Sequence, residues 1–253
     1  MWIRLSHFFR RLYTLWAGLM FSFLMLLLLP FFHFFADRPG GHPYAAALNR
    51  AWARGFFWLA FLPYRIEWRF KPRPGALYIY CANHTSWLDI VAMGLVVKGD
   101  HVFVGKESLA KIPLFGPMFA KLHILVNRES RTSSFRALVQ SMQAIDQNQS
   151  VVIFPEGGIR TPNPPRLAEF KDGPFRIAIE KQVPILPVVM LHNWYILPND
   201  GLFLARWRPG KAIVLPPITT EGLALPDLES LKAQTLQVMD AELEKYYPKP
   251  QIV

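Results

Sequence analysis

The stretch that decides the fold is LYIYCANHTSWLD, residues 77–89. Its first half, Leu77–Ala82, is an apolar run after a turn-forming Pro-Gly pair, as is typical of a buried β-strand. Its second half leads into Trp87–Val97, a stretch with helical periodicity. A strand that runs directly into a helix is the repeating unit of an α/β fold.

The same alternation continues toward the C-terminus. We predict further strands at Val102–Gly105, Ile124–Asn127, Val151–Phe154, Pro184–Leu191 and Ala212–Leu215. We predict further helices at Ser108–Leu122, Ser133–Gln147, Pro174–Lys181 and Asp227–Tyr247. The pattern indicates an α/β fold with a mostly parallel central sheet flanked by helices.

The polar residues of the first stretch offer a base and a carboxylate. A neutral imidazole takes up a proton near neutral pH, and a nearby carboxylate fixes its tautomer. Five residues separate His84 from Asp89, which is about 140° on a helix, so they meet only if His84 precedes the helix and Asp89 lies in its first turn. Two structural interpretations stay open: a hydrogen-bonded core histidine, and a capping box in which Asp89 only caps the helix with Ser86.

A second polar block, FPEGGIR at residues 154–160, also follows an apolar run. In parallel sheets ligands bind beyond the carboxyl ends of the strands. We therefore expect Glu156 and His84 at the same edge of the sheet. Pro155-Glu156-Gly157 is by itself also an ordinary turn.

Together the two blocks resemble the glycerolipid acyltransferase family, whose marks are Asn-His-x4-Asp and a later Phe-Pro-Glu-Gly. The resemblance runs from about Tyr78 to Val189. The segments that resemble the remaining family blocks are Lys106–Leu109 with Pro113 and Gly116, Leu125–Arg128, Phe170–Gly173 and Val183–Val188. The chain departs from the family where Gly158-Ile159 replaces Thr-Arg and delays the arginine to Arg160. It also carries His123 or a neighbour where the family has a glycine.

This resemblance implies transfer of an acyl group from a thioester, acyl-CoA or acyl-carrier protein, to the sn-2 hydroxyl of lysophosphatidic acid, giving phosphatidic acid. It implies that His84 and Asp89 form the general-base pair, with no metal and no cofactor. The residues expected to bind the phosphate and glycerol are Lys106, Arg128, Glu156, Gly157, Gly158 and Arg160.

Other functions stay open. The acceptor could be another lysolipid, such as a lyso-ornithine lipid or a lysophospholipid. Water in place of the alcohol would make the protein a thioester hydrolase, and loss of turnover would leave a membrane lipid-binding protein. A metal site at His84, Asp89 and Glu156 is disfavoured because the sequence supplies no clear third histidine.

Charge and hydropathy together indicate a membrane partner. The formal net charge is +10, which calls for an anionic partner such as nucleic acid, a lipid surface or a phosphorylated substrate. A mean hydropathy of +0.18 with 20 Phe and 8 Trp favours a bilayer over nucleic acid. The single Cys81 excludes an intramolecular disulfide, fits a reducing compartment, and is predicted to be a buried strand residue rather than a nucleophile.

The N-terminal region predicts a membrane anchor. No formally charged residue lies between Leu12 and Ala36, a length that spans a hydrocarbon core. The preceding arginines also suit a signal peptide, but bulky Phe residues follow where small residues mark cleavage. Thioester donors are cytoplasmic, so we expect Pro30 to end or kink the helix and Tyr44–Tyr64 to return as a second helix.

The predicted organisation is therefore a membrane-embedding hairpin at residues 1–64 and a catalytic domain at residues 65–253. We expect the catalytic domain to face the cytoplasm at a bacterial inner membrane. In the alternative, Ala51–Leu62 is a core helix of the domain.

Overall fold

The computed structural model describes residues 2–113 and 115–248. Three parts of the sequence lie outside the described residues. They are Met1 of the predicted hairpin, Leu114 of a predicted helix, and residues 249–253 of the predicted catalytic domain. The helices are α1 (Trp2–Ala36), α2 (His42–Leu59), α3 (Leu88–Val96), α4 (Phe115–Leu122), α5 (Arg131–Asp146), α6 (Gly173–Lys181), α7 (Asn193–Ile196) and α8 (Leu228–Glu244). The strands are β1 (Tyr64–Trp68), β2 (Ile79–Ala82), β3 (His101–Lys106), β4 (Ile124–Val126), β5 (Ser150–Ile153), β6 (Ile185–Met190) and β7 (Gly210–Val214).

Across the described ranges, seven strands form one sheet in the order β1-β7-β6-β2-β5-β3-β4. Neighbouring strands are parallel except β6 and β7, which are antiparallel. The predicted α/β fold with a mostly parallel sheet is confirmed. Strand β2 lies at the centre, so the loop after it opens at the middle of the sheet's carboxyl edge.

Each face of the sheet is covered by helices. Along β2, Tyr80 and Ala82 face a core shared with α2, α3 and α4, whereas Ile79 and Cys81 face a core shared with α5, α6 and α8. This alternation follows from the two-residue period of a strand. Cys81 is fully buried, as predicted, and burial raises the pKa of its thiol.

Two local predictions are wrong. The helix expected over Ser108–Leu122 is a 3-10 turn at Glu107–Lys111 followed by α4, because the residue before a proline avoids helical backbone angles and Ile112 before Pro113 is extended. Strand β1 was not predicted. It pairs only with β7 at the sheet edge, and its sequence YRIEW alternates apolar and charged residues.

The N-terminal helices form the predicted hairpin. Helix α1 continues through Pro30 to Ala36, so the proline does not end it. After the turn, the return helix α2 packs into the core through Trp52, Ala53 and Phe56, so it is a core helix as well.

The outer side of α1 is different. It exposes large apolar side chains along its length, namely Phe8, Phe9, Leu12, Leu15, Trp16, Leu19, Phe23, Leu26, Leu27, Phe31 and Phe34. Among the described residues, His7–Ala36 is the one stretch long and apolar enough to cross a membrane, a test that a core helix or a signal sequence also passes.

Candidate active site

The loop after β2 brings His84 and Asp89 together as predicted. His84 lies in the loop and Asp89 in the first turn of α3. Their side chains meet with 3.0 Å between Nδ1 of His84 and Oδ2 of Asp89. The loop is fixed to the neighbouring strand β6 by Asn83, whose amide donates to the Met190 carbonyl and accepts from the Met190 N–H.

The Asp89 carboxylate is fully buried, and each of its oxygens accepts hydrogen bonds. Oδ2 also accepts from the backbone N–H groups of Thr85 and Ser86, at 2.7 and 2.8 Å. Oδ1 accepts from the side-chain amide of Asn193 at 2.8 Å. The bond from Ser86 has the pattern of a capping box, so Asp89 supports the helix start and also contacts the histidine.

These contacts decide how the imidazole can act. A carboxylate only accepts hydrogen bonds, so Nδ1 of His84 carries the proton and Nε2 presents a lone pair. Within the described part of the chain, Nε2 has no hydrogen-bond partner, and the ring stacks on Phe154 with 4.1 Å between centroids. The imidazole is held by two contacts and can accept a proton at its free nitrogen.

Glu156 holds the histidine loop from the other block. Its Oε1 accepts from the backbone N–H of His84 at 2.7 Å, and its Oε2 accepts from the N–H of Ala168 at 2.8 Å. Burial raises the pKa of Glu156 to about 7, because the loss of water outweighs these two donors. The contacts are those of a residue that holds the loop, whereas the family resemblance implies that Glu156 binds the phosphate and glycerol of the substrate.

The predicted phosphate-binding residues come together in part. A cavity of about 550 Å³ is lined by Arg128, Gly157 and Arg160, with Lys171, Arg176 and one acidic residue, Asp172, beside them. Nη1 of Arg128 donates to the carbonyl of Gly157, and burial together with Arg160 lowers the pKa of Arg128. We refer to this space as the cationic cavity.

Two predicted residues differ from that group. Gly158 has φ +147°, and an added Cβ would lie 3.0 Å from Nη1 of Arg128, so a side chain there would press on the guanidinium. Lys106 is exposed at the end of β3 and does not line the cationic cavity.

A second cavity, of about 400 Å³, lies between the hairpin and the catalytic domain. We refer to it as the apolar cavity. Its walls come from α1, α2, α3 and α4, with Phe21, Trp52 and Phe119 among them, and they include Trp87 at the end of the His84 loop and Leu88 at the start of α3. Phe154, which stacks on His84, lines the cationic cavity. His84 and Asp89 line neither cavity themselves.

Comparisons with known proteins agree with this arrangement. Residues 68–191 match the family model described as Acyltransferase. The 1-acyl-sn-glycerol-3-phosphate acyltransferase of Haemophilus influenzae is 35% identical over 179 residues, covering 68% of this chain and 71% of that protein. The enzyme of the same name from Escherichia coli is 32% identical over 192 residues, covering 72% and 75%. The chain belongs to the glycerolipid acyltransferase family.

The fold of this acyltransferase also has a solved counterpart. The crystal structure of the 1-acyl-sn-glycerophosphate acyltransferase from Thermotoga maritima superimposes with a TM-score of 0.74, covering 95% of this chain and 98% of that one. At 22% identity, this likeness concerns the fold. It extends over the hairpin, which the matched residues 68–191 do not include.

Two residues of the site, Asn193 and Tyr64, were not predicted from the sequence of this acyltransferase. Asn193 begins α7, just after β6, and the Tyr64 hydroxyl at the start of β1 donates to Oδ1 of Asn193 at 3.0 Å. A hydrogen-bonded series therefore runs from Tyr64 through Asn193 and Asp89 to His84. No local pattern marks these positions, since β6 and β1 are distant from the His84 loop in sequence.

The residues considered for a metal site are already engaged. The Asp89 and Glu156 oxygens accept N–H donors. Over residues 2–113 and 115–248, no group of three or more His, Cys, Asp and Glu is arranged to hold a metal ion.

Proposed function

We propose that this protein transfers a fatty acyl group from a thioester donor to the sn-2 hydroxyl of 1-acylglycerol-3-phosphate, giving phosphatidic acid. The observation that carries the proposal is the His84–Asp89 pair with Nε2 free, whose neighbours Trp87 and Leu88 line an apolar cavity and whose stacking partner Phe154 lines a cationic one. The proposed acceptor has two matching parts, an apolar acyl chain and an anionic phosphate. The proposed donor is acyl-CoA or acyl-carrier protein.

In the proposed reaction, Nε2 of His84 takes the proton of the acceptor hydroxyl as its oxygen attacks the thioester carbonyl. The tetrahedral intermediate then collapses, the carbon–sulfur bond breaks, and the thiolate takes the proton back from Nε2. Asp89 holds the ring and stabilises the imidazolium between these steps. General-base catalysis of this kind is worth about 10²–10⁴-fold.

The cationic cavity supplies fixed charge for the acceptor phosphate. Arg128 is held by the Gly157 carbonyl, so its guanidinium is oriented before a ligand arrives. Preorganised arginine suits phosphate because the planar fork matches two oxygens at once. We assign Arg128 and Arg160 to this role, with Lys106 as an exposed cation at the same edge of the sheet.

The apolar cavity supplies the place for an acyl chain. Burial of methylene groups is worth about 0.8 kcal/mol each, so a dry apolar channel favours a long chain without any polar contact. Because α1 and α2 form much of its wall, the hairpin is part of the proposed substrate site as well as the membrane contact.

Membrane association follows from the exposed apolar side of α1 and the charge of +10. Anionic lipid attracts such a surface, and apolar side chains insert below the headgroups. We place the catalytic domain on the cytoplasmic side of a bacterial inner membrane, where the thioester donors are.

One observation favours a second acceptor class. Arg160 is displaced from the family position and is exposed, which weakens the phosphate site relative to the family pattern. A lyso-ornithine lipid or a lysophospholipid would place less demand on that cation.

The test is thiol release from a thioester donor by the full chain in detergent, with and without lysophosphatidic acid. We expect release that requires the acceptor and is lost in His84→Ala but kept in the matched control His192→Ala. Release without acceptor would indicate a hydrolase, and preference for a non-phosphorylated lysolipid would indicate the second class. Silence with every donor and acceptor would leave a lipid-binding protein.

A further inference from the structure

The loop at residues 197–209, between α7 and β7, is tied to the hairpin. Arg10 of α1 donates to the Leu204 carbonyl at 2.7 Å, and Thr14 accepts from the N–H of Ala205 at 2.8 Å. The Trp207 indole donates to the carbonyl of Phe61, just after α2, at 2.7 Å. The loop, the start of α1 and the end of α2 therefore form one surface.

This surface exposes large apolar side chains. The exposed fractions are 76% for Trp58, 67% for Phe61, 62% for Leu202, 59% for Trp207 and 52% for Phe203. We call these five residues the aromatic edge. Exposure on this scale is costly in water, at roughly 25 cal/mol per Å² of apolar surface, and clustered exposure of this kind marks an interaction surface.

The backbone of the aromatic edge is strained in two places. Phe61 has φ +49° and Phe203 has φ +53°. A bulky residue in this left-handed region is a genuine outlier, and such strain is found where function requires it. In both places the strained residue presents an exposed phenylalanine.

Two indole N–H groups of the surface are already paired toward the protein. The Trp16 indole donates to the Leu59 carbonyl and the Trp207 indole to the Phe61 carbonyl, and Trp16 stacks on Phe61. Both rings can therefore leave water without losing a hydrogen bond. This removes the main penalty for moving an indole into an apolar environment.

The charges around the aromatic edge are mainly positive. Arg206 and Arg208 flank Trp207 and contact the Tyr195 ring at 4.8 and 5.1 Å. The loop at residues 197–209 contains one acidic residue, Asp200, whose carboxylate accepts a hydrogen bond from the N–H of Leu202 at 3.0 Å. Aromatic rings with arginines beside them are typical of a protein surface at the headgroup level of an anionic bilayer.

We propose that the loop at residues 197–209 is a second membrane-docking element, which inserts the aromatic edge into the surface of an anionic lipid bilayer. The surface is continuous with the exposed apolar side of α1 through Trp16, Leu12 and Leu15. Phe203 and Ala205 also line the apolar cavity, so docking places that wall of the cavity against lipid. The proposal does not depend on acyl transfer.

The test uses the one cysteine of the chain. Cys81 is fully buried, so Leu202→Cys can be labelled selectively with an environment-sensitive fluorophore. The full chain is placed in nanodiscs of phosphatidylcholine and phosphatidylglycerol that contain nitroxide lipid. The matched control is Glu221→Cys, an exposed site next to α6 on the other face of the sheet.

We expect several-fold stronger quenching at position 202 than at position 221, because only position 202 reaches the lipid. The hairpin supplies the larger apolar surface and is expected to keep the protein on the nanodisc. Quenching at position 202 therefore measures whether the loop reaches the lipid, and not whether the protein binds. Equal quenching at the two positions, or equal access of both to aqueous iodide, would overturn the proposal.

The charge component is tested by adding Arg206→Gln and Arg208→Gln to the labelled chain. We expect weaker quenching at position 202 in phosphatidylglycerol nanodiscs and no change in phosphatidylcholine alone. Arg131→Gln with Arg136→Gln, two exposed arginines of α5, is the matched control and leaves the quenching unchanged. If both pairs of substitutions weakened the quenching at position 202 equally, recognition of anionic lipid by the loop would be contradicted. Thermal unfolding of each variant identifies a folding defect.

Discussion

At the residue scale, the position of the His84 ring depends on the Asp89 carboxylate, which hydrogen bonds hold in one orientation. Four donors hold Asp89: His84, Thr85, Ser86 and Asn193. Three of them lie within five residues of Asp89, and only Asn193 comes from a distant part of the chain, the start of α7 just after β6. Asn193 is therefore the donor that holds the Asp89 carboxylate from outside its own loop and helix.

Replacing Asn193 by Ala should lower kcat by about tenfold to a hundredfold. Hydrogen bonds to charged groups contribute about 1.5–3 kcal/mol, and about 1.4 kcal/mol corresponds to tenfold in rate. The KM of the acceptor should stay unchanged, because Asn193 lines neither the cationic nor the apolar cavity. Steady-state kinetics with varied lysophosphatidic acid measures both constants.

The control for Asn193 is Tyr64→Phe, which removes only the hydroxyl that donates to Asn193. We expect a smaller fall in kcat, since the Asn193–Asp89 bond is kept. A rise in KM equal to the fall in kcat, or a larger loss in Tyr64→Phe, would show that Asn193 does not position the pair.

Glu156 gives a prediction about pH and stability. Burial raises its pKa to about 7 from 4.5, so the folded protein holds this proton more tightly than the unfolded chain. That stabilisation is fully present below the unfolded pKa and is lost as the pH rises through about 7. One pKa unit corresponds to about 1.4 kcal/mol, so the loss is roughly 3 kcal/mol.

The measurement is urea unfolding in detergent between about pH 4 and about pH 8, for the native chain and Glu156→Gln. We expect the unfolding free energy of the native chain to fall more steeply with rising pH. The variant keeps one acceptor for the two N–H donors but has no proton to lose. Parallel pH curves for the two proteins would refute a raised pKa.

Arg128 gives a prediction about substrate binding. In Arg128→Ala the cationic cavity loses the guanidinium that Gly157 orients, so the KM for lysophosphatidic acid should rise about tenfold, as for a lost charge-assisted contact. The matched control is Arg136→Ala, an exposed arginine of α5 outside both cavities. Unchanged kinetics in Arg128→Ala, or an equal effect on a lysolipid without a phosphomonoester, would argue against phosphate binding there.

At this scale the sequence predicted the residues whose partners are near in the chain. His84 and Asp89 could be paired because one loop and one helical turn bring them together. Arg128, Gly157 and Arg160 were grouped from the family resemblance, and the structure places them around one cavity. Asn193 and Tyr64 could not be predicted, because their contacts depend on how β6 and β1 are placed in the sheet.

At the element scale, helix α2 of the hairpin packs closely against α3. A Cβ added to Gly94 of α3 would lie 2.7 Å from the Cβ of Ala53 in α2, closer than side chains pack. The glycine thus allows close approach of the two helices.

Gly94→Ala should lower the unfolding free energy by about 1–3 kcal/mol, the usual effect of overpacking. Adding Ala53→Gly should recover part of this loss by removing the opposing methyl group. A double-mutant cycle on thermal unfolding measures the coupling. Additive effects of the two changes would mean that the helices do not touch at this point.

Strand and helix boundaries show the same division between local and distant causes. Buried strands such as β2 and β5 are continuous apolar runs, so they were predicted within a few residues. Strand β1 lies at the edge with one neighbour, and its alternating YRIEW carries a weaker signal. Pro113 sets the turn before α4, an effect on the preceding residue that the helical periodicity of Ser108–Leu122 does not show.

At the scale of the whole molecule, helix α1 is fixed to the catalytic domain at both ends. Near its start, Arg10 donates to the Leu204 carbonyl in the loop before β7, and Tyr13 donates to the Ala60 carbonyl at the end of α2, within the hairpin. Near its end, Phe32 is buried in the core, and Asp37 just after the helix pairs with Lys121. The distance between these points is about 40 Å at about 1.5 Å per residue.

A helix held in this way cannot cross a bilayer without carrying the catalytic domain into the hydrocarbon. We therefore expect α1 to lie in the plane of the membrane, with its exposed apolar side in one leaflet. Arginines before an apolar helix favour a cytoplasmic N-terminus, so a single crossing would place the active site on the opposite side of the membrane from the N-terminus. A helix in the plane of the membrane keeps the N-terminus and the active site on the same side. No second crossing is then needed to return the chain.

The prediction is that both ends of α1 are reached from the same side of the membrane. Single cysteines at His7, Arg38 and Glu221 are treated with a membrane-impermeant maleimide in spheroplasts and in inverted vesicles, with the native chain and its buried Cys81 as the blank. We expect all three sites to react in inverted vesicles only. A spanning helix would place His7 and Arg38 on opposite sides, and that labelling pattern would exclude the in-plane hairpin.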